Sequence, residues 1–255
     1  MMFFVESDKA EMTINITVVT HNRLDLTKIC LQSLLEKTKG QYYLTIIDNA
    51  SNDGTKEYIN TLSNLYSNIN IFYLQTNMGV AVVANLGWAS FDADYYIKLD
   101  NDIEICDNTW LEQLVSIVEH NKNIAMAGYL LLNWKCKKEY ITLQSGNYFI
   151  SSDLCNGGCV IIPRHIHENL GFWIEDHGKY GYEDKNYSDR AVAAGYLIGY
   201  IPADMLPVRH LGFEEGHIDN VRESAKKKNR EEKYFGEHLY VFNKLLFDNG
   251  IRKLL

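Results

Sequence analysis

The sequence predicts an α/β protein with a mostly parallel, Rossmann-like central sheet, helices on both faces and a mixed second lobe, and three observations predict it. Short β-branched or apolar runs recur between residues 13 and 100, each followed by apolar residues at helical spacing. The runs end in polar or Gly-containing loops that turn a strand into a helix. Strands alternating with helices pair in parallel through right-handed crossovers, which puts helices on both faces. With 255 residues, 46% of them hydrophobic, and no low-complexity linker, the chain reads as one domain over 1–255. It has a regular half over about 13–124, a less regular half over 125–212 and a helical segment over 213–255.

Ile14, Ile16 and Val18 alternate with Thr13, Asn15 and Thr17 in a first strand that stops at Thr20-His21-Asn22. Asn22 is placed to cap the next helix, which carries Asp25 in its first turn and Leu24, Leu31, Leu34 and Leu35 on one face. A second strand over 43–47 ends at Asp48. Asn52-Asp53-Gly54 then turns into a helix bearing Tyr58, Ile59, Leu62, Leu65 and Tyr66. A third strand (69–74), a third helix (79–90) and a fourth strand (95–99) follow. Leu111, Leu114, Val115 and Val118 mark a fourth helix capped near Asn108. Past Ala125 the extended runs shorten to 127–132, 141–143, 148–150 and 160–162, which points to antiparallel or mixed strands. A helix over 184–194 and an amphipathic one near 223–247, with Phe235, Leu239, Phe242 and Leu246 on one side, complete the reading.

A formal charge of -8 argues against nucleic acid as a partner, since phosphate binding needs a basic face. The one dense basic run, Lys226 to Arg230, is followed by Glu231 and Glu232 and reads as a solvated helix face, with a membrane or anionic-acceptor patch as the alternative. No stretch approaches the roughly 20 apolar residues of a membrane span, and the acidic start lacks the pattern of a secretory signal. Five scattered Cys without a C-x-x-C pair read as reduced thiols in a cytoplasmic chain. Cys155 and Cys159 flank Gly157-Gly158, which suggests a backbone role rather than a redox pair. His165 and His167 have no metal-site spacing and read as surface residues.

Three of the four strands of the first half end in groups suited to ligand contact: Thr20-His21-Asn22, Asp48-Asn49 and Asp100-Asn101-Asp102. Ligands of open α/β sheets lie at these carboxyl ends. No Gly-x-Gly-x-x-Gly follows the first strand and no Gly-x-x-x-x-Gly-Lys occurs, so neither the dinucleotide fingerprint nor the P-loop is present. Two carboxylates one residue apart, just past the apolar strand Tyr95-Tyr96-Ile97-Lys98-Leu99, can instead hold a hard divalent cation that binds a diphosphate.

In order along the chain stand Thr17-Val18-Val19-Thr20-His21-Asn22-Arg23, Ile46-Ile47-Asp48-Asn49-Ala50-Ser51-Asn52-Asp53-Gly54-Thr55, Asn77-Met78-Gly79 with Asn85-Leu86-Gly87, and Leu99-Asp100-Asn101-Asp102. Together they resemble GT-A-fold glycosyltransferases of family 2 over about residues 13–212. The resemblance implies a nucleotide diphosphate sugar, UDP-sugars first among the candidates, lying across the strand ends. Thr20, Asn22, Arg23 and Asp48 would serve the nucleoside side and Asn77 and Gly79 the base. Asp100 and Asn101 would also face the donor, and Asp100 and Asp102 would bind Mn²⁺ or Mg²⁺. In the second half, Glu183-Asp184 resembles the family's acceptor-side pair, in which Asp184 would deprotonate the acceptor hydroxyl and Glu183 would bind the acceptor. Gly158, in Asn156-Gly157-Gly158-Cys159, would line the acceptor pocket, and His210 sits where related enzymes place a metal-binding His. A pair of acids at a helix start is also an ordinary capping arrangement.

The chain lacks the Gln-x-x-Arg-Trp of the family's processive synthases, so the resemblance implies single transfer with inversion, in bacterial surface glycan or glycoconjugate synthesis, onto a saccharide, lipid-linked or protein acceptor. It also leaves room for peripheral contact with the inner face of the membrane. Two other readings stand beside it. A nucleotidyltransferase would carry a Gly-rich basic loop where Thr20-His21-Asn22-Arg23 has no Gly. A non-catalytic nucleotide-sugar-binding module would have no need to keep Asp100, Asp102, Glu183 and Asp184 intact.

Overall fold

The computed structural model describes residues 12–66, 68–131, 136–202 and 207–213. Its first half runs β1 (Ile14–Thr20), α1 (Leu24–Lys37), β2 (Tyr43–Asp48), α2 (Thr55–Ser63), β3 (Ile69–Tyr73), α3 (Val80–Ala89), β4 (Tyr95–Asp100), β5 (Ile103–Ile105) and α4 (Trp110–Glu119). The second half adds β6 (Ile124–Tyr129), β7 (Lys138–Thr142), β8 (Tyr148–Ser152), β9 (Cys159–Pro163), α5 (Arg164–Leu170), α6 (Glu183–Ala193), β10 (Leu197–Ile201) and β11 (Val208–His210). One sheet of nine strands, in the order β3-β2-β1-β4-β9-β6-β10-β8-β7, passes through both halves.

β1 to β4 are all parallel, whereas β9 runs antiparallel between β4 and β6. β10 is parallel to β6, and the β7-β8 hairpin closes that edge antiparallel. The strand order reverses between β1 and β4, which makes their carboxyl ends the crevice where such sheets bind ligands.

Both faces are covered. Ile14, Ile16 and Val18 of β1 pack with Cys30, Leu31 and Leu34 of α1, Ile59 of α2 and Leu114 and Val118 of α4. On the opposite face Tyr96, Val160 and Ile162 meet Trp88 of α3, Ile166 of α5 and Tyr187 of α6. The alternation in β1 suggests one wet face, yet every residue of the strand is buried. Asn15 explains this: its amide donates to the carbonyls of Gly87, Trp88 and Phe91 at the end of α3, at 3.0, 3.3 and 3.0 Å. A polar side chain thereby satisfies carbonyls that a helix terminus leaves without intrahelical partners.

The short elements escape periodicity. β5 and β11 have three residues each. β10 carries Gly199 at its centre, where a Cβ would stand 2.0 Å from the carbonyl oxygen of Ile150 on β8. α5 begins directly after Pro163. His167 is buried rather than at the surface, against Trp88, Tyr96, Phe172 and Tyr187. Burial is the main cause that lowers its pKa to about 3. The five cysteines form no disulfide; Cys155 and Cys159 are buried, and burial raises both thiols. The expected helix over 223–247 and the basic run at Lys226 lie outside the described residues.

Gly87 fixes how closely α3 sits on β1, because a Cβ there would stand 2.2 Å from Cγ2 and 2.5 Å from Oγ1 of Thr17. Gly87→Ala is therefore expected to destabilise the protein by about 1–3 kcal/mol through overpacking. Thr17→Ala in the same chain should recover part of the loss, as read from thermal unfolding of the two variants.

Candidate active site

The site grows from three strand ends. At β1, the Thr20 hydroxyl lies 3.3 Å from the Ile47 carbonyl and from Oδ1 of Asp48, while Oδ2 of Asp48 accepts from the Ser51 amide at 3.1 Å. Thr20 and Asp48 are both buried. Asn22 does not cap α1. Asn22 and Arg23 both take left-handed backbone angles, with φ of 55° and 63°. The Asn22 side chain instead accepts from the Asn52 amide at 2.8 Å, and Asp53 caps α1 from the neighbouring loop by accepting from the Leu24 amide at 3.0 Å. A left-handed non-glycine pair costs backbone energy that the surroundings must offset. Here the offset is a set of polar contacts, including Asn101, whose amide donates to the Asn22 carbonyl and to the Thr27 hydroxyl at 3.0 and 2.8 Å.

The left-handed turn sends Arg23 across to Asp102, whose Oδ2 accepts from its guanidinium at 2.7 Å. Asp102 is 4% exposed, so burial is the first cause raising its pKa, opposed chiefly by His210 and then by Arg23. The short β5-β11 ladder pairs His210 with Ile103 and holds Nε2 of His210 3.8 Å from Oδ1 of Asp102. Gly212 completes the enclosure: a Cβ there would be 2.6 Å from Oδ2 of Asp102. Asp100, half exposed, turns its carboxylate onto Lys98. As placed, no three His, Cys, Asp or Glu side chains among the described residues converge on one point. The Asp100 and Asp102 carboxylates at and just past the end of β4, with the His210 ring of β11 beside Asp102, are groups that could hold a cation, the carboxylates being the kind of ligand that suits Mg²⁺ or Mn²⁺.

Asn77 and Gly79 are set by their own neighbours. Oδ1 of Asn77 accepts from the Asn49 amide group and the Gly79 backbone, both at 3.0 Å, and Oδ1 of Asn49 accepts from the Met78 backbone at 2.8 Å. Gly79 has φ of 91°, and a Cβ would stand 2.8 Å from Cα of Lys179. Its freedom thus serves a close approach to the loop before α6, and the Val80 amide donates to the Lys179 carbonyl at 3.0 Å.

Across the crevice, Glu183 and Asp184 open α6 behind Tyr182, itself left-handed at φ 71°. Oδ2 of Asp184 accepts from the Gly157 amide at 3.1 Å and Oδ1 from the Lys185 amide at 2.7 Å. Gly158 is adjacent, its carbonyl accepting from the Asp100 amide at 2.8 Å. Burial and then the neighbouring Asp184 carboxylate raise Glu183 to about 7, and burial raises Asp184 as well. Adjacent acids held above their ordinary range in a crevice are candidates for proton transfer. Lys98 and Trp173 also belong to this region, both against Gly157, while Asn49 belongs to the turn before α3. A lysine inside an otherwise apolar strand was the visible signal for the first.

The fold is that of GT-A glycosyltransferases. The family model for glycosyl transferase family 2 matches residues 15–169, and the chain belongs to that family. An uncharacterized glycosyltransferase of Haemophilus influenzae is 24% identical over 254 residues, covering 92% of this chain and 76% of that protein. The putative teichuronic acid biosynthesis glycosyltransferase TuaG of Bacillus subtilis is 24% identical over 119 residues, 47% of each chain. Among solved structures, GalNAc-T7 with UDP, GalNAc and Mn²⁺ matches with a TM-score of 0.65 at 17% identity, over 80% of this chain and 44% of that one. The mannosyltransferase PcManGT of Pyrobaculum calidifontis in complex with GDP-Man and Mn²⁺ gives 0.59 at 16% identity, over 75% and 55%. The chain therefore spans about half the length of these two structures.

The Glu183 shift carries a sign that can be checked. Its folded pKa of about 7 lies above the ordinary 4.5. Above pH 7 the folded protein thus holds a carboxylate that its surroundings disfavour, and this penalty fades as pH falls from 7 to 4.5. Glu183→Gln should accordingly raise the melting temperature at pH 8, with the gain shrinking toward zero near pH 4.5.

Proposed function

We propose that this chain is a metal-dependent, inverting glycosyltransferase that moves one sugar from a nucleotide diphosphate sugar to an acceptor hydroxyl in bacterial surface glycan or glycoconjugate synthesis. The observation that carries the reading is the placement of Asp100 and Asp102 at the β1-β4 crevice, with Asp184 held across it by the Gly157 amide. Asp100, Asp102 and His210 would hold Mn²⁺ or Mg²⁺, which when bound neutralises charge on the leaving diphosphate. Arg23, 42% exposed in its side chain, adds a cation on the same edge. Thr20, Asn22, Asp48, Asn77, Gly79 and Asn101 shape the donor side; Glu183 and Gly158 face the acceptor.

Asp184 removes the proton of the acceptor hydroxyl as its oxygen attacks the anomeric carbon from the face opposite the diphosphate. The bond from that carbon to the diphosphate oxygen breaks with its electron pair, releasing the nucleoside diphosphate. One displacement inverts the centre. The names of TuaG and of the complexes with UDP and GDP-Man support a surface-polymer role and a nucleotide donor, UDP-sugars first. No described helix is long and apolar enough to cross a membrane, and the reduced thiols agree with work in the cytoplasm, beside a lipid-linked, saccharide or protein acceptor.

A thermal-shift panel of UDP-, GDP- and dTDP-sugars with Mn²⁺ or EDTA identifies the donor. A ligand at 100 times its Kd should stabilise by about 2.7 kcal/mol. Asp102→Ala should abolish the Mn²⁺-dependent part; equal nucleotide affinity in EDTA and Mn²⁺ would overturn the metal role. Asp184→Asn should keep donor and Mn²⁺ binding while transfer slows at least about 100-fold. Near-normal turnover would leave Asp184 as a helix cap and pass the base role to Glu183.

A further inference from the structure

Lys98 lies in the middle of the sheet on β4 and is 2% exposed. A buried ammonium is tolerated only where acceptors replace its water, and its acceptors here are informative. Nζ donates to the Asp100 carboxylate and, at 2.8 Å, to the Gly157 carbonyl, and it stands 5.6 Å from the centre of the Trp173 ring. The amide of that same Gly157 donates to Oδ2 of Asp184. Gly157 has no room for a side chain: a Cβ would be 2.7 Å from Cη2 of Trp173 and 3.5 Å from Cβ of Asp184. Trp173 is fixed in turn by Asn85, which accepts from its amide at 3.1 Å and donates to its carbonyl at 2.8 Å.

We infer that Lys98 is a positioning residue that sets Asp184 against the donor: from the Asp100 carboxylate it grips the Gly157 carbonyl, and the Gly157 amide orients the base. The inference rests on the reading of Asp184 as that base. The two peptide groups that flank the Gly157 Cα are thus each held, one at its carbonyl by the ammonium and the other at its amide by the carboxylate, so the position of the first constrains that of the second. The connection runs from β4 through the turn before β9 to α6, joining the donor-side and acceptor-side halves at one residue. A displacement of the base by about 1 Å is worth on the order of 100-fold in rate. The link to Gly157 therefore acts on turnover, whereas the nucleoside side of the donor is shaped at the ends of β1 and β2.

Lys98→Met keeps the apolar stem and removes the ammonium; Lys98→Gln, which retains a donor, serves if the first variant does not fold. The assay is nucleoside diphosphate release from the donor that the thermal panel selects, with water as acceptor and saturating Mn²⁺, alongside calorimetric Kd values for donor and Mn²⁺. The expected result is a kcat lowered about 100-fold with both Kd values within about threefold of the parent. Lys98→Met combined with Asp184→Asn should be no slower than Asp184→Asn alone, because groups acting as a unit do not add. In glycine-labelled protein the Gly157 amide resonance should move on Lys98→Met. Parent-like kcat, multiplicative losses in the double variant, or Mn²⁺ affinity falling in step with kcat would each overturn the inference. Near-normal turnover of Asp184→Asn alone is a different signature: there the base assignment fails first and the positioning role falls with it.

Discussion

A carboxylate taken out of water must be answered by positive charge or give up its own, and Asp102 imposes that constraint on this fold. Buried to 4% exposure just past β4, it accepts from the Arg23 guanidinium, and the His210 ring stands beside it. To bring Arg23 there, the chain adopts two successive left-handed residues between β1 and α1. To bring His210 there, it builds a separate two-stranded ladder from β5 and β11. Much of the irregular backbone around the crevice thus follows from one desolvated acid.

The rest of the crevice works by reciprocal brackets of side-chain amides. Asn15 ties α3 to β1, Asn49 and Asn77 clasp the turn before α3, Asn85 clasps Trp173, and Asn101 ties the Asp100-Asn101-Asp102 turn to the β1-α1 loop. An Asn presents both donors and an acceptor on a short, stiff stem, so it can satisfy backbone groups of two segments at once. Such brackets keep loops at fixed spacing without regular structure. A site assembled from loops needs that rigidity if its groups are to be preorganised.

The regular half was legible because its strands and helices repeat a simple period and end in punctuating residues. The strand-end acids stood out for the same reason: Asp48 and the Asp100-Asn101-Asp102 turn interrupt apolar runs. What could not be read was pairing at a distance. Nothing local in Cys159–Pro163 says that it lies between β4 and β6, and nothing local in His167 distinguishes a buried ring from a surface one. Asn22 looked like a cap by residue type, yet Asp53 from another loop does that work. Gly79 lies against the backbone of Lys179, an approach that nothing in its local sequence announces. Lys98 was visible in its strand, but its partners at Gly157 come from 59 positions away.

The insertion of β9 between β4 and β6 also governs how the chain can be made. When the ribosome has released the first four strands, β4 is an open edge carrying Tyr95, Tyr96, Ile97 and Leu99. Its partner begins only at Cys159, so at roughly 5–20 residues per second the edge waits on the order of several seconds for its neighbour. During that interval Ile124–Tyr129 emerges first, an apolar strand that belongs one place further out. Nascent chains therefore have an early opportunity to mispair, and an exposed edge of this kind recruits other chains. Slower synthesis between residues 129 and 159 would lengthen the exposure, and a chaperone that shields the edge would raise the yield of native protein.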